Sequence, residues 1–261
     1  MKALILAAGS GTRMGKYTEN LPKGMLNVMG ETLIERQLKT LRRAGIDDIA
    51  IATGYKSEKI QYTGVRYYHN ADYATTNMLE TIMSTKEFLK EGDDVLIAYS
   101  DILYTPELVG QCVSFDCDVG VAVDRDWKKL WMLRYGTTEF DLESLSVDAS
   151  GTIRELGREV ASSEGLDYRY IGLIRFSSKG LETMFDVYNA RQGQAWSQSG
   201  KEFKKGYMTD MLYEINRSGT PVKAIVTSGN WLEFDTSEDY ERLSEAMKNG
   251  TISESLQIRQ A

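Results

Sequence analysis

Apolar residues in this chain gather into short runs divided by stretches of helical spacing. Ala3 to Ala8 is wholly apolar and stops at Gly9, and Ile46 to Thr53, Asp94 to Tyr99, Cys117 to Val123, Tyr168 to Phe176 and Val222 to Val226 follow a similar plan. Gly64 to His69 is a shorter candidate. Such runs predict strands buried on both faces, as in a parallel sheet. Between them, Leu33, Ile34, Leu38 and Leu41 recur at helical spacing within Glu31 to Ala44, which Gly45 ends. Leu79, Ile82, Met83 and Phe88 do the same within Met78 to Leu89, as does Thr209 to Ile215. The succession strand, loop, helix, strand is the unit of a doubly wound α/β sheet. Its crossovers place the strand C-termini, and with them the ligand loops, on one edge.

Composition narrows the class without naming it. The chain of 261 residues is long enough for one large α/β domain, and no internal repeat or long linker divides it, so a single domain over 1–261 is expected. Hydrophobic residues at 42% and charged residues at 26% are ordinary for a globular protein. No apolar run approaches the roughly 18 residues that span a bilayer. The first apolar run is interrupted by Gly9 and lacks a basic leader, so a cytoplasmic protein without a membrane partner is expected. A net charge of −7 and a pI near 5.0 argue against nucleic-acid polymers. Cys112 and Cys117 lack the Cys-x-x-Cys spacing and His69 is the sole histidine, which leaves zinc sites and histidine triads poorly supplied.

The sharpest local feature lies where the first strand stops, at Leu6-Ala7-Ala8-Gly9-Ser10-Gly11-Thr12-Arg13, followed by Leu21-Pro22-Lys23-Gly24-Met25. Glycines let a backbone turn tightly and bring bare N–H groups against an anion. Arg13 offers a planar fork and Lys23 a compact charge, a pair that suits a chain of phosphates better than a single carboxylate. A glycine turn with two solvated cations is the plain alternative. The dinucleotide fingerprint fails because Met14 occupies the third glycine position. A Walker loop ending at Gly15-Lys16 fails because Ser10 and Tyr17 stand where glycine and a hydroxyl residue are needed.

The segment Leu6-Ala7-Ala8-Gly9-x-Gly11-x-Arg13 with Pro22-Lys23 resembles the signature of nucleotidyltransferases that activate sugar 1-phosphates, phosphocholine and related phosphorylated small molecules. The resemblance implies a Rossmann-like three-layer sandwich with a mostly parallel central sheet and an acceptor-binding insertion. It assigns 1–123 to the nucleotide-binding half, 124–247 to the acceptor-binding half and fold closure, and 248–261 to a tail. It also implies that Leu6 to Thr12 wrap a triphosphate while Arg13 and Lys23 neutralise charge during transfer.

Three further stretches add to this picture. Asn70 to Asn77 is a polar loop at a helix start, where Thr76 and Asn77 could meet a base edge or simply cap the helix. Its Tyr73-x-x-x-Asn77 pattern resembles the phosphocholine-type branch, and the Gly-Leu-Ala-type segment of the sugar branch is missing. Asp101 follows the strand that ends at Tyr99, and an oxygen ligand there suits Mg2+, although a turn or cap would also explain it. The family has a metal-holding Asp at this place, but many relatives carry a second acid where this chain has Tyr99 and Ser100. Trp231-x-x-x-Asp235-Thr236 resembles the family segment whose Asp supplies the other magnesium ligand, and Thr236 reads as a helix cap.

The acceptor half is less explicit. From Asp124 the pattern turns polar and irregular, and Trp131, Tyr170 and Tyr207 could enclose a small organic group, or a cation through their π faces. Glu155 and Asp210 are candidate polar anchors; all five residues are equally ordinary as core or surface groups. Gln192 to Gly206 reads as a mobile loop, either a lid carrying Lys201, Lys204 and Lys205 or a solvated loop. The tail is polar, consistent with fraying or a homo-oligomer contact. The resemblance therefore implies transfer of a nucleotide from a nucleoside triphosphate, CTP favoured, to a small phosphorylated or phosphonate acceptor, with magnesium. A sugar-1-phosphate enzyme using UTP or dTTP and a non-catalytic nucleotide-binding regulatory subunit are the alternatives.

Overall fold

Strand β1 (Lys2–Ala7) is buried along its length, and alternate residues enter different cores, Ala3, Ile5 and Ala7 on one face and Leu4 and Leu6 on the other. This is seen in a computed structural model that describes residues 1–253 and 256–258. A short hairpin, β2 (Asn27–Val28) and β3 (Glu31–Thr32), leads to α1 (Leu33–Arg43), β4 (Ile49–Thr53) and β5 (Arg66–His69). Helices α2 (Met78–Met83) and α3 (Lys86–Leu89) precede β6 (Val95–Tyr99), β7 (Ile102–Tyr104), α4 (Pro106–Ser114) and β8 (Val119–Asp124). Then come α5 (Trp127–Tyr135), β9 (Glu143–Val147), β10 (Ile153–Glu159), β11 (Arg169–Phe176) and α6 (Ser178–Arg191). The chain closes with α7 (Met208–Arg217), β12 (Val222–Thr227), β13 (Trp231–Glu233) and α8 (Ser237–Lys248).

Seven strands form one sheet in the order β12-β8-β11-β6-β1-β4-β5, with β11 the antiparallel member. Helices α1, α4, α5 and α8 supply one apolar layer, and α2, α3, α6 and α7 the other. The architecture is the expected Rossmann-like three-layer sandwich, and both halves of the chain share its sheet. Among the described residues no helix is long and apolar enough to cross a membrane.

The structure departs from the sequence pattern in four places, each with a local cause. The helix expected over Met78 to Leu89 breaks after Met83, where Ser84 and Thr85 donate their hydroxyls to the Thr81 and Ile82 carbonyls at 2.7 Å each. The stretch after Asp124 is helical: Trp127, Leu130, Trp131 and Arg134 form the buried face of α5, and Gly136 ends it at φ 72°. Gln192 to Gly206 is anchored by Trp196, which is 1% exposed and donates its indole N–H to the Phe203 carbonyl at 2.8 Å. In the tail, Ile252 and Leu256 pack into the core, while residues 254, 255 and 259–261 lie outside the described residues.

A buried ion cluster ties α5 to α8. Arg134 and Asp239 are each fully buried; Arg134 donates to both Asp239 oxygens at 3.2 and 2.9 Å and pairs with Glu233. Removing the cation would leave two carboxylates uncompensated. Arg134→Met is expected to destabilise the protein by about 3–5 kcal/mol, read as a lower urea midpoint at unchanged slope.

Candidate active site

The loop after β1 opens the site. Gly11 adopts φ +63°, and a Cβ there would come within 3.1 Å of the Lys23 Cβ, so glycine is needed both for the turn and for the approach of Lys23. A Cβ on Gly9 would meet nothing within 4 Å, because that position faces open space. The space is a cavity of about 290 Å³ at the C-terminal edge of the sheet. Leu6, Ala8, Gly9, Gly11 and Thr12 line one side, Thr76 and Asn77 another, and Arg13, Lys23 and Asp101 close one end. Ala7 faces the core, and Ser10 is exposed outside the lining.

Two distant carboxylates meet at Lys23. Strand β13 pairs antiparallel with β7, Glu233 opposite Ile102, and Phe234 N–H donates to the Asp101 carbonyl at 2.9 Å. Asp101 and Asp235 are thereby adjacent. The Lys23 ammonium donates to Asp101 Oδ2 at 3.0 Å and Asp235 Oδ1 at 2.7 Å, while Arg13 contacts Asp235 Oδ2 at 2.5 Å. Burial works against the Lys23 charge, but Asp101 and Asp235 outweigh it and hold its pKa above the ordinary lysine value. Asp235 is pushed above the usual carboxylate range by burial, with Glu233 adding to it against the pull of Lys23 and Arg13. Asp101 Oδ1 is buried and has no hydrogen-bond partner.

The Asp235 segment is fixed from behind. Thr236 accepts from Asp239 N–H at 3.1 Å, and Asp239 Oδ2 accepts from Asp235 and Thr236 N–H at 3.1 and 3.0 Å, a capping box at the start of α8. Arg134, bound to the same Asp239, continues that support into the core.

Thr76 and Asn77 reach the cavity with their side chains already engaged locally. Asn77 Oδ1 caps α2 through Met78 N–H at 2.8 Å, and the Thr76 hydroxyl donates to the Asp72 carbonyl at 2.8 Å. Asn77 N–H donates to the Lys204 carbonyl at 2.9 Å, so Gln192 to Gly206 packs against this loop.

None of the five candidate acceptor residues lines the cavity. Trp131 is fully buried, with its indole N–H on the Phe140 carbonyl at 2.8 Å. Asp210 is 1% exposed and accepts from Ser199 and Tyr207 N–H. Glu155 pairs with Arg158 on the surface, and Tyr207 is exposed beside Lys201. Tyr170 comes nearest: its hydroxyl donates at 2.8 Å to that of Tyr99, which does line the cavity.

Several contributors carry no sequence motif. Gly54 admits Tyr73, since a Cβ there would lie 2.7 Å from the Tyr73 Cβ and 2.8 Å from the Ala8 carbonyl oxygen. Gly172, at φ +75°, makes room for the Tyr99 ring, 2.7 Å from where its Cβ would be. Glu233 stands two residues before Asp235; burial opposes its charge, but Arg134 and Arg169 outweigh that and hold its pKa below the usual range. No local sequence signal marks Gly54 or Gly172.

Known proteins resemble this chain in sequence and in fold. Residues 3–159 match the family described as the MobA-like NTP transferase domain. The chain is 31% identical to the CTP:phosphoglutamine cytidylyltransferase of Campylobacter jejuni, over 92% of this chain and 98% of that one. It is 27% identical to the 2-aminoethylphosphonate cytidylyltransferase of Lancefieldella rimae, over 85% of each. The solved CTP:phosphocholine cytidylyltransferase of Streptococcus pneumoniae superposes with a TM-score of 0.69 at 24% identity, covering 94% of this chain and 98% of that one.

The two loop glycines separate fold from ligand. Gly9→Ala is expected to leave stability within about 0.5 kcal/mol while weakening nucleoside triphosphate binding at least about tenfold by calorimetry. Gly11→Ala is expected to lose more than about 1 kcal/mol of stability in urea.

Proposed function

The chain belongs to the MobA-like NTP transferase family and is a nucleotidyltransferase, and from that premise we propose that it transfers CMP from CTP to the phosphate or phosphonate of a small non-sugar acceptor. The observation that carries this reading is the convergence of Lys23, Arg13 and Asp101 on the glycine-loop cavity, with Asp235 bound behind them to Lys23 and Arg13. Cytidylyltransferase relatives that align over most of the chain favour CTP as the donor.

An acceptor oxygen attacks the α-phosphorus in line; the new P–O bond forms as the bond to the β-phosphate oxygen breaks, and pyrophosphate leaves. The acceptor is already anionic and needs no general base, in keeping with the lack of histidine in the site. Lys23 and Arg13 neutralise charge on the phosphates, and the loop amides and the sheet edge hold the donor in line. The donor set is all oxygen, and the orphaned Asp101 Oδ1 fits a cation. Among the described residues no group of three or more His, Cys, Asp or Glu could hold a metal by itself, so substrate phosphates and water would complete its shell. Asp101 and Asp235 would hold Mg2+, which supplies charge neutralisation on the triphosphate when bound.

Pyrophosphate release, followed with five nucleoside triphosphates against phosphocholine, 2-aminoethylphosphonate, phosphorylated amino acids and hexose 1-phosphates, tests the proposal. CTP with a non-sugar acceptor is expected to turn over, and a chelator is expected to abolish it. Turnover only with UTP or dTTP and a sugar phosphate, or tight binding with no release, would contradict it. Asp101→Asn is expected to lower kcat about 10²–10³-fold with an unchanged far-UV spectrum.

A further inference from the structure

At the same sheet edge as the Lys23 centre, one guanidinium nitrogen of Arg169 and the Glu143 carboxylate lack hydrogen-bond partners among the described residues. Arg169, at the start of β11, is 8% exposed; its guanidinium lies 4.6 Å over the Trp131 ring, and Nη2 donates to Asp141 Oδ2 at 3.2 Å. Its Nη1 is buried without a hydrogen-bond partner. Glu143, at the start of β9, is partly buried, and among the described residues its carboxylate has no hydrogen-bond or ion-pair partner. The surrounding charges are otherwise matched. Arg134 takes Glu233 and Asp239, Arg169 Nη2 takes Asp141, and Lys23 and Arg13 take Asp101 and Asp235. Burial pushes the Glu143 carboxyl up, Arg169 and Arg13 pull it down, and Asp141 and Glu233 push it up; all four charges are close enough to act on it. Tyr170, next to Arg169 in β11, donates its hydroxyl to Tyr99 at 2.8 Å and their rings meet edge to face at 5.9 Å, which sets the start of β11 beside the cavity that Tyr99 lines.

Arg169 and Glu143 stand at the starts of β11 and β9, with Asp141, two residues before Glu143, bound to Arg169, and a free guanidinium nitrogen with an unpaired carboxylate suits a ligand that carries both complementary charges. We propose that Arg169 and Glu143 form a zwitterion subsite, Arg169 taking the carboxylate and Glu143 the ammonium of a phosphorylated α-amino acid whose phosphate reaches Lys23 and Arg13. The proposal rests on the cytidylyltransferase reading and narrows its acceptor. Acceptors bearing an ammonium alone would leave Arg169 Nη1 buried and unpaired, which a site penalises strongly.

Matched acceptors test each half. O-phosphoserine against O-phosphoethanolamine differs by the carboxylate, and O-phosphoserine against 3-phosphoglycerate differs by the amino group. CTP-dependent kcat/KM is expected to favour O-phosphoserine by about 10²-fold in both comparisons. Arg169→Met should collapse the first ratio and Glu143→Gln the second, each leaving the other ratio largely in place. Glu143→Gln, nearly isosteric, and Arg169→Lys carry the test if Arg169→Met does not fold. Equal or better turnover of O-phosphoethanolamine overturns the subsite while leaving CMP transfer standing. Ratios unmoved by either variant, with lowered stability alone, would mean that Arg169 and Glu143 serve each other as a structural pair. If no acceptor turns over although CTP binds, the transfer reading fails instead. Calorimetry of O-phosphoserine and O-phosphoethanolamine then decides the subsite separately, carboxylate-dependent binding lost in Arg169→Met supporting it and equal binding overturning it.

Discussion

One ammonium joins three parts of the chain that are far apart in sequence. Lys23, reached from β1 through the glycine loop, lies between Asp101 after β6 and Asp235 after β13. Two carboxylates this close repel unless a cation sits between them, and a buried lysine loses its proton unless carboxylates face it. Each charge is therefore tolerated because of the others. The pairing of β13 with β7, the capping box at Thr236 and Asp239, and the buried Arg134 all hold Asp235 where Lys23 needs it. The same centre is where a triphosphate would exchange protein carboxylates for phosphate oxygens, so what holds the resting site together also sets its affinity for anions.

The three layers follow from β1. Its unbroken apolar run demands cover on both faces, and two sets of helices provide it. Putting β6 beside β1 then sets Asp101 close to the glycine loop, since parallel strands end on the same edge. Antiparallel β11 sends its start to that edge, which is how Arg169 and Tyr170 come near the site despite belonging to the second half of the chain.

The cluster of Arg13, Lys23, Asp101 and Asp235 is legible in the sequence because its signals are local: a glycine loop, a cation a few residues on, and carboxylates at strand ends. The central strands are equally plain, since β1, β4, β6 and β8 are short, almost wholly apolar runs. The acceptor side depends on which residues approach through tertiary packing, and a single sequence does not carry that. Trp131 was a reasonable aromatic wall by composition, yet it lies at helical spacing with Trp127 and Leu130 and is buried with them. Asp210 similarly anchors α7 and the segment before it. Glu143 and Arg169 lie in ordinary strand sequence, and what distinguishes them is a carboxylate and a guanidinium nitrogen that the packing leaves without hydrogen-bond partners among the described residues. The helix broken at Ser84 and Thr85 shows the reverse case, in which consecutive hydroxyls overrode a clean apolar period.

A double-mutant cycle on kcat, with Lys23→Met, Asp235→Asn and the two combined, reads whether Lys23 and Asp235 act as one unit on the phosphates. If they form a unit, the double variant should be slower than the slower single variant by no more than about threefold, because either loss already disables the centre. Losses that multiply across the two positions would mean that Lys23 and Asp235 contribute independently, and the account of a single charge-balanced centre would be wrong.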